Sequence, residues 1–190
     1  MNNFERFPSW LAGLLAAGLL SGCSGAMSDV VVPVSLDTPP SVAQDQALPA
    51  SVEVVDLRLD STMRRTAFAA SLGKVTLSPP EGELVKALVA KALQRIDGDL
   101  SLLGVPPTIY CGIKTFDIIT PATPLYWDVT TRIELILRAR KKERTVSAEA
   151  VEQTWTYPSE EIIQRVTMRA LHDISSAIEQ ELPALLAPTP

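Results

Sequence analysis

Apolar and polar positions alternate along Val52–Asp60 (VEVVDLRLD), with Val55, Leu57 and Leu59 on one face and Asp56, Arg58 and Asp60 on the other. That is the pattern of a half-buried strand. Val52 and Val54 have the opposite parity, which places a bulge or a change of cover near Val54. The small and basic residues of 61–73 read as a loop, and Lys74–Leu77 as a short strand stopped by Pro79 and Pro80. From Glu81 to Ile96 the period lengthens: Leu84, Val85, Leu88, Val89, Ala92, Leu93 and Ile96 share one face of a helix. Glu81 and Glu83 near its start and Lys91 and Arg95 near its end suit the helix dipole.

Thr108–Ile119 (TIYCGIKTFDII) is a second long strand, in which Gly112 marks a bend or a close approach of another group to the backbone. Asp128–Ala139 follows with Val129, Thr131, Ile133, Leu135 and Leu137 on one face. Arg140–Arg144 is the turn, and Thr145–Tyr157 returns as the hairpin partner. Ser159 then stands where a helix cap belongs, with Glu160 and Glu161 in the first turn. Ile163, Val166, Ala170, Ile174, Ala177 and Ile178 form one apolar stripe, and Pro183 ends the regular part. The order β, β, α, β, β, β, α predicts an α+β fold: an antiparallel sheet with two amphipathic helices packed on one face.

Ahead of this domain the pattern changes. Trp10–Leu20 (WLAGLLAAGLL) has the length of a signal-peptide core and is shorter than the roughly 20 residues that span a bilayer. Leu20-Ser21-Gly22-Cys23 follows it and resembles the lipobox of bacterial lipoproteins: an aliphatic residue, two small residues, then the cysteine that takes lipid. The expected organisation is a signal peptide over 1–22, a lipidated cysteine and flexible tether over 23–50, one domain over 51–186 and a tail over 187–190. Pro33, Pro39, Pro40 and Pro49 interrupt the tether, whose r.m.s. span as a coil is about 30 Å. VVVPV at 30–34 is also compatible with an edge strand, where a proline is tolerated. By the sorting rule of enteric bacteria, Ser24 after the cysteine directs such a protein to the outer membrane, facing the periplasm, with the inner membrane as the other address.

Composition narrows the function classes. The chain has 190 residues, a 46% apolar fraction and a net charge of -5, which fits one globular domain and gives no support to nucleic-acid binding. His172 is the only histidine, and it neighbours Asp173 on a helix, where adjacent positions do not face each other. Neither a G-x-S-x-G elbow nor a C-x-x-C or H-E-x-x-H spacing is present. Neither a metal nor a cofactor is expected. Asp56 and Asp60 flank Arg58 as an ion-pair arrangement, and Cys111 in TIYCGI reads as a small buried residue. Two basic groups remain: Arg64-Arg65, and Arg138, Arg140, Lys141, Lys142 and Arg144 at one hairpin tip. The tip residues are candidates for contact with anionic lipid or an acidic protein. Tyr126, Trp127, Trp155 and Tyr157 bracket the hairpin ends, either packing over the sheet or forming a partner surface.

The lipobox at Cys23, the strand carrying Asp56-Leu57-Arg58, the strand Val75-Thr76-Leu77 with Pro79 after it, the amphipathic helix and the hairpin from Thr130 to Trp155 together resemble the YajG family of bacterial outer-membrane lipoproteins. More loosely they are similar to the lipoprotein partners of lipid-transport ABC systems. The resemblance implies a fold and an address, and no catalytic residues. The expected function is a non-catalytic binding module anchored to the membrane through its N-terminal lipid, with an envelope protein as partner. The alternative is an accessory subunit of a lipid or solute transport system, with ligand held between sheet and helices; an envelope hydrolase ranks third.

Overall fold

The computed structural model describes residues 29–36, 50–67, 70–96 and 107–187. Cys23, the signal segment, most of the tether and 188–190 lie outside them. The elements are β1 (Val30–Pro33), β2 (Ser51–Asp56), β3 (Met63–Ala67), β4 (Ala70–Ser78), α1 (Glu81–Gln94), β5 (Thr108–Ile119), β6 (Trp127–Ala139), β7 (Lys142–Thr154) and α2 (Glu160–Leu186). The class is α+β, as the element order predicts. The sheet divides in two: four strands in the order β2-β5-β6-β7 and three in the order β1-β4-β3. Most pairings are antiparallel, but β2 runs parallel to β5 and β1 parallel to β4.

The long hairpin organises the core. Val129, Ile133, Leu135 and Leu137 of β6 and Ile109 and Cys111 of β5 are fully buried on one face of the larger sheet. Against them pack Leu84, Val85 and Val89 of α1 and Ile163, Val166, Ala170, Ile174 and Ile178 of α2, also without exposure. Burying each Leu, Ile or Val of this set contributes about 1.5–3 kcal/mol. A hydrogen bond of 3.2 Å between the hydroxyls of Thr131 and Thr167 ties β6 to α2 through the same layer. The layer between sheet and helices is thus largely side-chain packing, with one pocket at its margin lined by Val52, Glu53 and Val54 of β2 and by Pro80, Gly82, Glu83 and Lys86 at the start of α1.

Four expectations need correction. First, the stretch assigned to the tether contains β1, and Val32 within it and Val34 just after it are buried in the core. Pro33 is tolerated because β1 is an edge of the three-stranded sheet, and its carbonyl accepts a 2.6 Å hydrogen bond from Nε2 of Gln164. Second, 61–73 is mostly the β3–β4 hairpin. Alternation in Met63-Arg64-Arg65 turns Met63 and Arg65 inward, to 5% and 3% exposure, and the arginines mask that pattern in the sequence. Third, β2 stops at Asp56 and presents the opposite face to the one its alternation suggests. Pairing of Val54 with Cys111 and Val52 with Ile109 sets the parity, so Val52 and Val54 face the core while Val55 and Leu57 are exposed. Fourth, α2 continues past Pro183, because Leu182, Leu185 and Leu186 are all buried and offset the roughly 3 kcal/mol that an internal proline costs.

The β6–β7 turn is also tighter than expected, since Ala139 pairs with Lys142 and leaves only Arg140 and Lys141 to reverse the chain. Arg140 accordingly takes a left-handed backbone, φ 57°. Arg140→Gly removes the Cβ conflict and is expected to stabilise the domain by about 0.5–1 kcal/mol. A raised urea midpoint would bear this out; a lowered one would mean that the arginine side chain contributes more than its backbone costs.

Candidate binding surface

No described element packs on the face of the larger sheet opposite the helices. Much of it is laid out as cross-strand ion pairs: Lys114 with Glu134 at 2.7 Å, Arg132 with Glu149 at 2.8 Å, and Arg138 with Glu143. Surface pairs of this kind contribute little stability, about 0–1 kcal/mol each, but they keep the face soluble. On the β2 side the pattern breaks. Val55, Leu57, Tyr110, Gly112 and Ile136, with Arg138 at the rim, line a groove of about 350 Å³. Val55, Leu57 and Tyr110 are each close to half exposed, at 44%, 51% and 48%.

Gly112 makes this groove. A Cβ placed there would lie 2.5 Å from Cδ1 of Leu57, so the leucine can lie across the strand only because the side chain is absent. The close approach that Gly112 signals in the sequence is therefore the approach of Leu57. Its position is fixed by the turn after β2. Leu57 N–H donates to the Ile113 carbonyl at 3.0 Å, continuing the parallel ladder by one residue. Arg58 then closes the turn: its backbone N–H and its Nε both donate to Oδ1 of Asp56, at 3.0 and 2.9 Å, and NH2 donates to Oδ2 at 2.8 Å. Its NH1 donates to the Phe116 carbonyl at 2.9 Å and lies 3.7 Å from Glu81 in the first turn of α1. The side-chain hydrogen bonds from Arg58 hold the Asp56 carboxyl below the usual carboxylate range, and the same bonds raise the arginine.

The basic tip residues do not act as one group. Arg138 is paired with Glu143, and Arg144 lies 3.4 Å from Glu181. Lys142 donates from Nζ to the carbonyls of Ala184 and Ala187, at 3.1 and 2.9 Å, and so caps the C-terminal end of α2. Arg140 and Lys141 stand at the turn itself. Arg65 is buried with its guanidinium 5.1 Å from the centroid of the Tyr157 ring, which removes it from the surface. Cys23 lies outside the described residues.

The remaining chemical candidates fall apart in space. Cys111 is a free, buried thiol whose pKa burial pushes up to about 12, so it stays protonated and unreactive at neutral pH. His172 is exposed on α2, and Ser176 donates to its backbone carbonyl. Among the described residues no group of three His, Cys, Asp or Glu is placed to hold a metal. The aromatic residues form two edge-to-face pairs at the far end of the hairpin, Tyr126 with Trp155 at 6.0 Å and Trp127 with Tyr157 at 5.3 Å. The groove itself is the feature that sequence reasoning missed. Gly112 was its one signal, and it became legible only when the parity of β2 was known.

No family model and no curated protein matches the chain. Among solved structures, an uncharacterized protein is similar at 10% identity and a TM-score of 0.47, over 83% of this chain and 99% of that one. Protein XCC0632 from Xanthomonas campestris, of family DUF330, is similar at 9% identity and a TM-score of 0.45, over 82% and 95% of the two chains. A chain from Caulobacter crescentus CB15, provisionally described as a lipoprotein, is similar at 13% identity and a TM-score of 0.34, over 57% and 84%. None of these likenesses carries a function across.

Proposed function

We propose that this chain is a lipid-anchored lipoprotein of the bacterial cell envelope, YajG-like in organisation and facing the periplasm from the outer membrane. Its domain works as a non-catalytic module that binds an envelope protein. The lipobox ending at Cys23 supports the anchor. The observation that carries the binding reading is the apolar groove beside a row of paired charges on the outer sheet face, which at its far end also exposes Ile119 and Val151. A row of ion pairs is well solvated and stays so, whereas Val55, Leu57, Tyr110 and Ile136 gain by leaving water. Arg138 stands at the rim in an exposed pair with Glu143.

A photoreactive side chain placed at Tyr110 tests this in cells. The expected result is a discrete protein adduct that is lost when Ile136 is replaced by lysine, while the same probe at Lys141 gives none. Adducts from Lys141 and not from Tyr110 would move the working surface to the basic tip. If the adduct proved to be a transporter's membrane subunit, the accessory-subunit alternative would replace the simple binding module.

A further inference from the structure

The end of the domain that carries Tyr126 and Trp155 has a composition unlike the rest of the surface. Two segments meet there, Thr120–Trp127 (TPATPLYW) and Gln153–Ser159 (QTWTYPS), and neither contains a charged residue. Leu125 is 73% exposed and Trp155 74% exposed. Tyr126 holds the two segments together by its edge-to-face contact with Trp155. Thr123 fixes the first loop, its hydroxyl accepting from the Tyr126 N–H at 2.9 Å and donating to the Tyr126 carbonyl at 2.8 Å. Leu125 and Trp155 are therefore presented to solvent by a braced scaffold.

The chain enters β1 from the side of the same end. β1 runs parallel to β4, which leads away from the β3–β4 turn, so the chain ahead of Asp29 leaves toward that turn. Asp29 accepts a 2.8 Å hydrogen bond from the Lys74 N–H, which fixes the exit point. Thr66, close to the turn, is bonded through its N–H to Oγ1 of Thr120, the residue that opens the Leu125 loop. Cys23 is only six residues before Asp29. Fully extended, that length reaches at most about 20 Å. The anchor thus cannot lift the domain clear of the head groups, as a free tether of the whole Pro-rich segment would.

From these two observations we infer that the Leu125–Trp155 tip is a membrane-docking surface that enters the lipid interface and sets the orientation of the domain on the bilayer. Trp and Tyr with an apolar body and a polar edge suit the head-group level, and leucine the shallow acyl region beneath it. Glu160 and Glu161 stand just after the tip, so docking does not depend on anionic lipid. With the tip down, the groove over Gly112, at the other end of β5, faces away from the membrane and toward the periplasm.

The inference rests on lipidation of Cys23, and the test separates the two. The mature lipidated chain with Trp127→Phe, in which Trp155 is the remaining tryptophan, is reconstituted in phosphatidylethanolamine–phosphatidylglycerol vesicles containing bromolipid. The expected result is blue-shifted Trp155 emission quenched by the bromines, with both effects lost in Leu125→Asp although that variant still floats with the vesicles. Flotation with water-like, unquenched Trp155 emission would overturn docking and leave the anchor intact. Shielding of Trp155 only on addition of an envelope protein would likewise overturn it in favour of a protein contact. A chain that does not float at all would overturn the anchor itself. Leu125 is exposed, so an unchanged thermal midpoint for Leu125→Asp separates loss of docking from loss of fold.

Discussion

Arg58→Met is expected to destabilise the domain by about 2–3 kcal/mol at neutral pH, and by clearly less below about pH 4. The side chain of Arg58 is only 5% exposed and bonds three elements at once: the end of β2 through Asp56, the Phe116 carbonyl of β5, and the first turn of α1 through Glu81. Methionine keeps the apolar stem but leaves the Phe116 carbonyl without this donor and the Asp56 carboxylate without its cation. The upper end of the range for fully buried pairs does not apply, because the Asp56 side chain is 43% exposed and water replaces part of the loss. The sign of the pH dependence follows from Asp56. Its folded pKa lies below the ordinary value, so its contribution is fully present above that ordinary value, about 3.9. The contribution falls away as pH drops through the lowered folded value. Urea unfolding of both proteins at pH 7 and pH 3 checks this: the gap between them should shrink at pH 3, and an equal gap at both pH values would show that the Asp56 carboxylate contributes nothing to the effect of Arg58. The same variant should loosen Leu57 over Gly112, so it links the turn to the groove.

Much of the fold is legible in the sequence because its long elements are amphipathic on one side. β5 begins and ends where its pattern does, at Thr108 and Ile119. The face of β6 predicted from Val129 to Leu137 is the buried one. The stripes of α1 and α2 are the surfaces that meet the sheet. What is hidden has physical causes. β2 reads wrongly because its alternation is continued by Leu57 and Leu59, which lie beyond the strand; the partner strand decides which parity faces inward. β3 is hidden because it buries an arginine, which a hydropathy pattern counts as exposed. Pro183 misleads because a helix interrupted once continues when leucines beyond the proline have a core to enter. The basic tip looks like one patch in sequence, but three of its five cations are committed within the domain, to Glu143, to Glu181 and to the end of α2.

Cys23→Ala is expected to have the largest effect of any single substitution, loss of the lipid anchor from the whole population. No helix among the described residues is long and apolar enough to cross a bilayer. The exposed apolar groups of the tip are few, and even a single acyl chain holds a protein only reversibly. On the proposed lipidation of Cys23, the acyl chains supply the anchor, each buried CH₂ contributing about 0.8 kcal/mol. In flotation after a carbonate wash, wild type should rise with the membranes and Cys23→Ala should stay in the soluble or unprocessed fraction. The fold should be untouched, because β1, the first described element, starts at Val30 and is held by its own pairing with β4. A variant that still floats would mean that something other than Cys23 holds the chain.

The most direct measurement is the intact mass of the chain extracted from membranes by detergent. The account predicts an N-terminus at Cys23, residues 1–22 removed, and added mass equal to a diacylglyceryl group with a further acyl chain. A chain that starts at Met1, or one with an unmodified Cys23 thiol, would contradict it.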